Sequence, residues 1–202
     1  MTTIVNEIAP EILIIKELLS PEFCREVIDW INHLNAANLN SANLSPAGIQ
    51  IQKIDSTVRS NDLLYLGQDQ SELKALNALI MEKVKLVQAF LHQHYGIYFS
   101  HAEPCSILRY QEGQFYKRHV DNLLFSSRLE EAARQVPIRD VSVVGYLNEE
   151  FEGGETYFDR QQVKITPRTG SVLVFPAYWT HPHASLPVQR GTKYAFTTWL
   201  FH

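Results

Sequence analysis

His119 and Asp121 stand one residue apart at the end of an aromatic-rich run, Arg109 to Asp121, and this pairing of residue types suits a metal. In an extended chain side chains two apart share a face, so an imidazole nitrogen and a carboxylate oxygen are presented together. Further on, Thr180-His181-Pro182-His183 offers two histidines as a third ligand. Two imidazoles and one carboxylate cover one face of an octahedral ion and leave positions open, the set associated with non-heme Fe(II) oxygenases. Three protein ligands and a water describe a catalytic zinc site as well. An isolated His-x-Asp is also a common surface pair, so the surroundings must decide. His33, His92, His94, His101 and His202 have no spacing that adds to the set.

The elements that must hold these residues are legible in outline. The chain has 202 residues, 45% of them apolar, enough for one domain with a sizeable core. Glu11 to Lys16 reads as a strand. Ser20-Pro21-Glu22 then caps and opens a helix with Phe23, Val27, Ile28, Ile31 and Leu34 on one face. Residues 35–60, rich in Asn, Ser, Ala and Gly, read as an exposed connection. Ser71 to Tyr95 is a second helix, with Leu73, Leu76, Ile80, Val84, Val87 and Leu91 in one stripe and Gly96 at its end. After Gly96 the pattern changes to short strands, over 97–99, 105–110, 115–118, 141–147, 155–158, 163–166, 171–175 and 194–201, interrupted by a polar helical turn at 123–135. Many short strands broken by Gly and Pro predict an antiparallel sandwich or barrel. The expected layout is a helical support region over 1–96 and a β core over 97–202, together one domain.

Charge and composition exclude some partners. A net charge of −4 gives no electrostatic footprint for a polyanion, so nucleic acid is not expected as partner. No apolar window approaches the length of a membrane span, and the first residues lack the pattern of a signal peptide, so a cytoplasmic location is expected. Cys24 and Cys105 read as buried thiols. Oligomeric state is not legible.

Four ordered blocks between Arg109 and Trp199 resemble the 2-oxoglutarate- and Fe(II)-dependent dioxygenases, within them the prolyl 4-hydroxylase-like branch. They are Arg109-Tyr110 with Gly113, Tyr116, His119 and Asp121; Tyr146-Leu147-Asn148 followed by Gly153-Gly154-Glu155-Thr156; Pro167 to Phe175 with Gly170; and His183 to Tyr194 with Pro187-Val188 and Gly191-x-Lys193. The resemblance implies a mainly β fold, a double-stranded β-helix (jelly-roll, cupin-like) supported by N-terminal helices. It selects His183 over His181 beside His119 and Asp121 as Fe(II) ligands. It implies Lys193 as the cation for the far carboxylate of 2-oxoglutarate, with Tyr110, Tyr146 and Thr197 around it. Arg109, Tyr116 and Trp199 become candidates for touching the substrate.

The same resemblance implies O2 as oxidant, ascorbate as accessory reductant, release of succinate and CO2, and hydroxylation of an unactivated C–H bond. A prolyl residue in a peptide or protein is the expected substrate, with a free amino acid or small metabolite as the alternative. A non-catalytic metal-binding or sensing barrel is the reading from another class. Lysine at position 193 is similar to the collagen- and plant-type enzymes, whereas Asn122 and Tyr146-Leu147-Asn148 resemble the oxygen-sensing branch, which uses arginine there. Gly153-Gly154 is expected to form a tight positive-φ turn.

Overall fold

The computed structural model describes residues 5–36, 45–46, 57–122 and 137–202. The polar turn expected at 123–135 and most of the connection over 35–60 lie outside them.

After the hairpin β1 (Val5–Ala9) and β2 (Ile12–Ile15) comes helix α1 (Pro21–Ala36), opened as its sequence predicts. The Ser20 hydroxyl accepts the Phe23 N–H at 3.2 Å. Two short strands, β3 (Ser45–Pro46) and β4 (Asp62–Tyr65), precede α2 (Ser71–Tyr95). That helix ends where Gly96 turns left-handed at φ 70° and donates its N–H to His92 at 2.9 Å. All six apolar residues of the α2 stripe are buried.

The remaining strands are β5 (His101–Ala102), β6 (Ser106–Tyr110), β7 (Tyr116–His119), β8 (Val141–Tyr146), β9 (Phe151–Gly153), β10 (Thr156–Phe158), β11 (Val163–Ile165), β12 (Val172–Pro176), β13 (His183–Ser185), β14 (Val188–Gly191) and β15 (Lys193–Phe201). The major sheet runs β1-β2-β12-β8-β15-β6-β4-β3, with β5 also on β15. The minor sheet runs β11-β10-β13-β7, and β14 pairs with β9. Every pairing is antiparallel, as a double-stranded β-helix requires. The strand expected at 97–99 begins instead at His101. The region before residue 97 supplies strands as well as helices, since β2 pairs with β12 and β4 with β6.

Strand alternation divides the interior in two. On β15, Phe196 and Leu200 face the helices and join the core of Val27, Ile31, Leu76, Ile80 and Val84. Lys193, Ala195, Thr197 and Trp199 point the other way, into the space between the sheets. Gly145 on β8 is what admits Phe196, because a Cβ there would lie 2.1 Å from its ring. Cys24 and Cys105 are buried free thiols, with burial pushing them up to about 11 and about 12. Among the described residues no helix is long and apolar enough to cross a membrane.

Candidate metal and cosubstrate site

His119 closes β7 and His183 opens β13, and the two are register partners across the minor sheet. Asp121 follows two residues after His119, so chain and register together converge three donors. Their ligand atoms all lie within 4.8 Å of one another, and no other such group occurs among the described residues. The Asp121 Oδ1 is 3.3 Å from His119 Nε2 and 3.7 Å from His183 Nε2.

Each donor is oriented from behind. The Nδ1 of His119 meets the Lys117 carbonyl at 2.8 Å and that of His183 meets the His181 carbonyl at 3.2 Å. Donation there leaves each Nε2 with its lone pair facing Asp121. Burial pushes His183 down to about 4, which keeps it neutral at ordinary pH and fit for a metal. Burial raises the Asp121 carboxyl, but His183, His119 and the Ser142 hydroxyl outweigh it and hold the group well below the usual carboxylate range. Ser142 donates to its Oδ2 at 2.6 Å. Arg139 donates to its backbone carbonyl at 3.1 Å while paired bidentately with Glu103. Two imidazoles and a carboxylate, all ionised or tautomerised for donation, fit a divalent first-row metal such as Fe(II).

A second polar centre lies on the same interior face. Lys193 is 3% exposed, and its Nζ donates to the Gly154 carbonyl at 2.6 Å and to Ser185 at 3.1 Å. Among the described residues no carboxylate forms an ion pair with it, and burial pushes it down to about 7, opposed only by the charge of Glu155. A buried ammonium left without a counter-charge is costly, and an incoming carboxylate relieves that cost. Tyr110 and Tyr146 flank it, their rings 4.9 and 5.6 Å from Nζ. Burial raises both phenols, so both remain hydroxyl donors, with Tyr146 against the Thr156 hydroxyl at 2.8 Å. Thr197 is buried on the same face. The donors present suit a dicarboxylate such as 2-oxoglutarate.

The other expected residues are placed as follows. Tyr116 stacks on His119, centroids 3.5 Å apart, with the Arg59 guanidinium 4.4 Å over its outer face. Trp199 lies 3.5 Å beneath Arg139, and its indole N–H is buried without a partner among the described residues. Arg109 turns to the opposite face from Tyr110, where it donates twice to Asp62, its register partner on β4. His181 reaches the Pro10 carbonyl at 3.2 Å. Gly153 and Gly154 have φ of 75° and 68°, the tight turn their pairing predicts. Sequence reasoning missed Arg59, Arg139, Ser142 and Ser185. For Ser142 the signal was present, since it shares strand parity with Tyr146.

Residues 105–201 match the model of the 2OG-Fe(II) oxygenase superfamily. Prolyl 4-hydroxylase 13 of Arabidopsis thaliana is 26% identical over 215 residues, covering 95% of this chain and 71% of that protein. The mouse Prolyl 3-hydroxylase 2 is 24% identical over 93% of this chain, which spans only 29% of that longer protein. Among solved structures, the prolyl hydroxylase of Trichoplax adhaerens, in complex with a hypoxia inducible factor peptide, superimposes with a TM-score of 0.74 at 22% identity. It covers 95% of this chain and 83% of its own. The 2OG complex of the viral collagen prolyl hydroxylase of Paramecium Bursaria Chlorella virus-1 gives 0.66 at 23%, covering 96% and 98%. These two structural likenesses concern the fold.

Proposed function

We propose that this chain, which belongs to the 2-oxoglutarate- and Fe(II)-dependent oxygenases of the prolyl hydroxylase type, hydroxylates a prolyl residue in a peptide or protein through His119, Asp121, His183 and Lys193. When bound, Fe(II) with 2-oxoglutarate and O2 supplies the oxidising power that converts C–H to C–OH, with succinate and CO2 as the other products.

The chain's own residues bind, orient and exclude water. His119, Asp121 and His183 hold the metal through atoms already turned inward. Phe158 and Phe175, 5.4 and 4.7 Å from the His183 ring, keep that side dry. Lys193 takes the distal carboxylate with help from Tyr110, Tyr146 and Thr197. Tyr116, stacked on His119, and Trp199, under Arg139, are read as the walls against which the substrate lies; Arg109, engaged by Asp62 on the other face, is read as a support of that wall rather than a contact. The whole chain, 1–202, is read as one oxygenase domain.

The observation that carries this reading is the buried, uncompensated Lys193 on the same interior face as a two-histidine, one-carboxylate cluster. A metal-binding module has no use for such a cation. Under anaerobic conditions, Fe(II) and 2-oxoglutarate together are expected to give a weak visible charge-transfer band, retained in His181→Ala and lost in His183→Ala. Loss in the first and retention in the second would reverse the ligand assignment. Succinate release screened over prolyl peptides and free amino acids separates the peptide substrate from a small metabolite.

A further inference from the structure

On the helix-facing side of the major sheet, across it from the metal donors, the C-terminal end of α2 and the segment after Gly96 border a half-open cavity of about 350 Å³. Its floor is apolar, with Leu13, Leu91, Phe99, Val141 and Val174. Its rim is different in kind: Glu11, Tyr95, Asp140, Tyr178 and His202. Glu11 and Asp140 put two carboxylates on that rim, and among the described residues no lysine or arginine lines the cavity.

Three further observations point to a ligand. The volume lies in the range of small-molecule sites, which combine apolar walls with a few convergent polar groups. The rim groups are organised: Tyr178 and His202 both bond the Asp140 carboxylate, the latter at 2.9 Å, and Glu11 lies against the Tyr95 hydroxyl. Large exposed apolar side chains gather here, since Tyr95, Ile97 and Tyr178 line the opening while Tyr98 and Trp179 adjoin lining residues in sequence.

We propose that this cavity is a second binding site, distinct from the oxygenase site, for a small organic cation with an apolar body, an aryl- or alkylammonium. The apolar part fills the floor between Leu13, Leu91 and Val174. The ammonium stays at the rim, within the field of Glu11 and Asp140 and against the tyrosine faces, which attract cations. Phe175 contributes to the cavity wall and its ring also meets His183, so the two sites share a structural element without sharing a face.

The test uses the full chain and phenethylammonium, titrated by calorimetry and by methyl NMR. Saturable binding is expected, with shifts at Leu13, Leu91, Val141 and Val174. The oppositely charged 3-phenylpropionate is expected to bind about tenfold more weakly. Asp140→Asn should weaken phenethylammonium alone. Because that change also loosens Tyr178 and His202, Glu11→Gln, at an exposed position, serves as the second variant and should weaken it in the same sense. Equal affinity for the two probes, shifts confined to the metal-site residues, or no saturation would each overturn the proposal. The outcome is independent of the oxygenase assignment, since neither probe reports turnover.

Discussion

On the proposed function, Lys193 is the residue on which cosubstrate choice turns, and its burial gives it a pH signature. Burial pushes the ammonium down to about 7 from its ordinary 10.5, against the opposing charge of Glu155. Above pH 7 the empty site therefore holds a neutral amine, whereas a bound carboxylate favours the ammonium and raises the group again. Binding of 2-oxoglutarate must take up a proton in that range, so affinity is expected to fall as pH rises through 7, by up to about tenfold per unit. Calorimetry at pH 8 in buffers of different ionisation enthalpy should read an uptake approaching one proton, and an uptake of zero would contradict the assignment. The same depression has a stability sign. Between 7 and 10.5 the unfolded lysine holds a proton that the folded, empty protein lacks, so this group's contribution to stability rises with pH across the window. At this scale the sequence was readable where chemistry is local, since His119 and Asp121 are neighbours. Arg139, just before β8, fixes Asp121 from 18 residues on, and Ser142 on β8 shares a face with Tyr146 but reaches Asp121 through a tertiary approach that spacing alone does not supply.

The turn between β9 and β10 does more than reverse the chain. Gly154 sits at φ 68° with its carbonyl on Lys193, and a Cβ there would lie 3.2 Å from the lysine Cδ and 3.1 Å from Val188 and Phe151. Gly113, in the turn between β6 and β7, has φ 80° but open space around it. Alanine at either position carries the same backbone penalty, about 1 to 2 kcal/mol. Gly154→Ala is expected to raise the KM for 2-oxoglutarate, while Gly113→Ala loses similar stability and leaves that KM unchanged. Steady-state kinetics beside thermal unfolding separates the two effects; equal KM values would mean the turn does not shape the lysine pocket. Short elements are also where sequence reading stopped. The strands β9 and β13 have three residues each and carry Gly153 or follow Pro182, so neither shows a strand pattern, although β13 carries His183. The equally short β10 and β11, with Thr-Tyr-Phe and Val-Lys-Ile, do show one. The two helices, with long stripes and clear ends, were legible almost to the residue.

Across the whole molecule the major sheet separates two interiors with different duties. The helix side, with Leu76, Ile80, Val84 and Phe196, is an apolar layer that holds the sheet in shape. The side between the sheets packs Phe158, Phe175, Tyr110 and Tyr146 against the metal and lysine centres. Equal damage on the two sides should then have unequal consequences. Ile80 is fully buried, and Ile80→Ala is expected to cost about 3 kcal/mol through lost contact and a residual cavity. Its Fe(II) and 2-oxoglutarate affinities should remain those of the parent at temperatures where it is folded. Phe158→Leu keeps the site apolar and, as a smaller truncation, costs about 1 to 2 kcal/mol. It also removes the ring that lies 5.4 Å from His183 and meets Phe175 edge-on at 4.9 Å, so metal affinity and turnover should fall although stability changes less. Thermal unfolding with Fe(II) titration on both variants reads the contrast, and a metal affinity that simply followed stability in the two would mean the sheet does not insulate the site from its support.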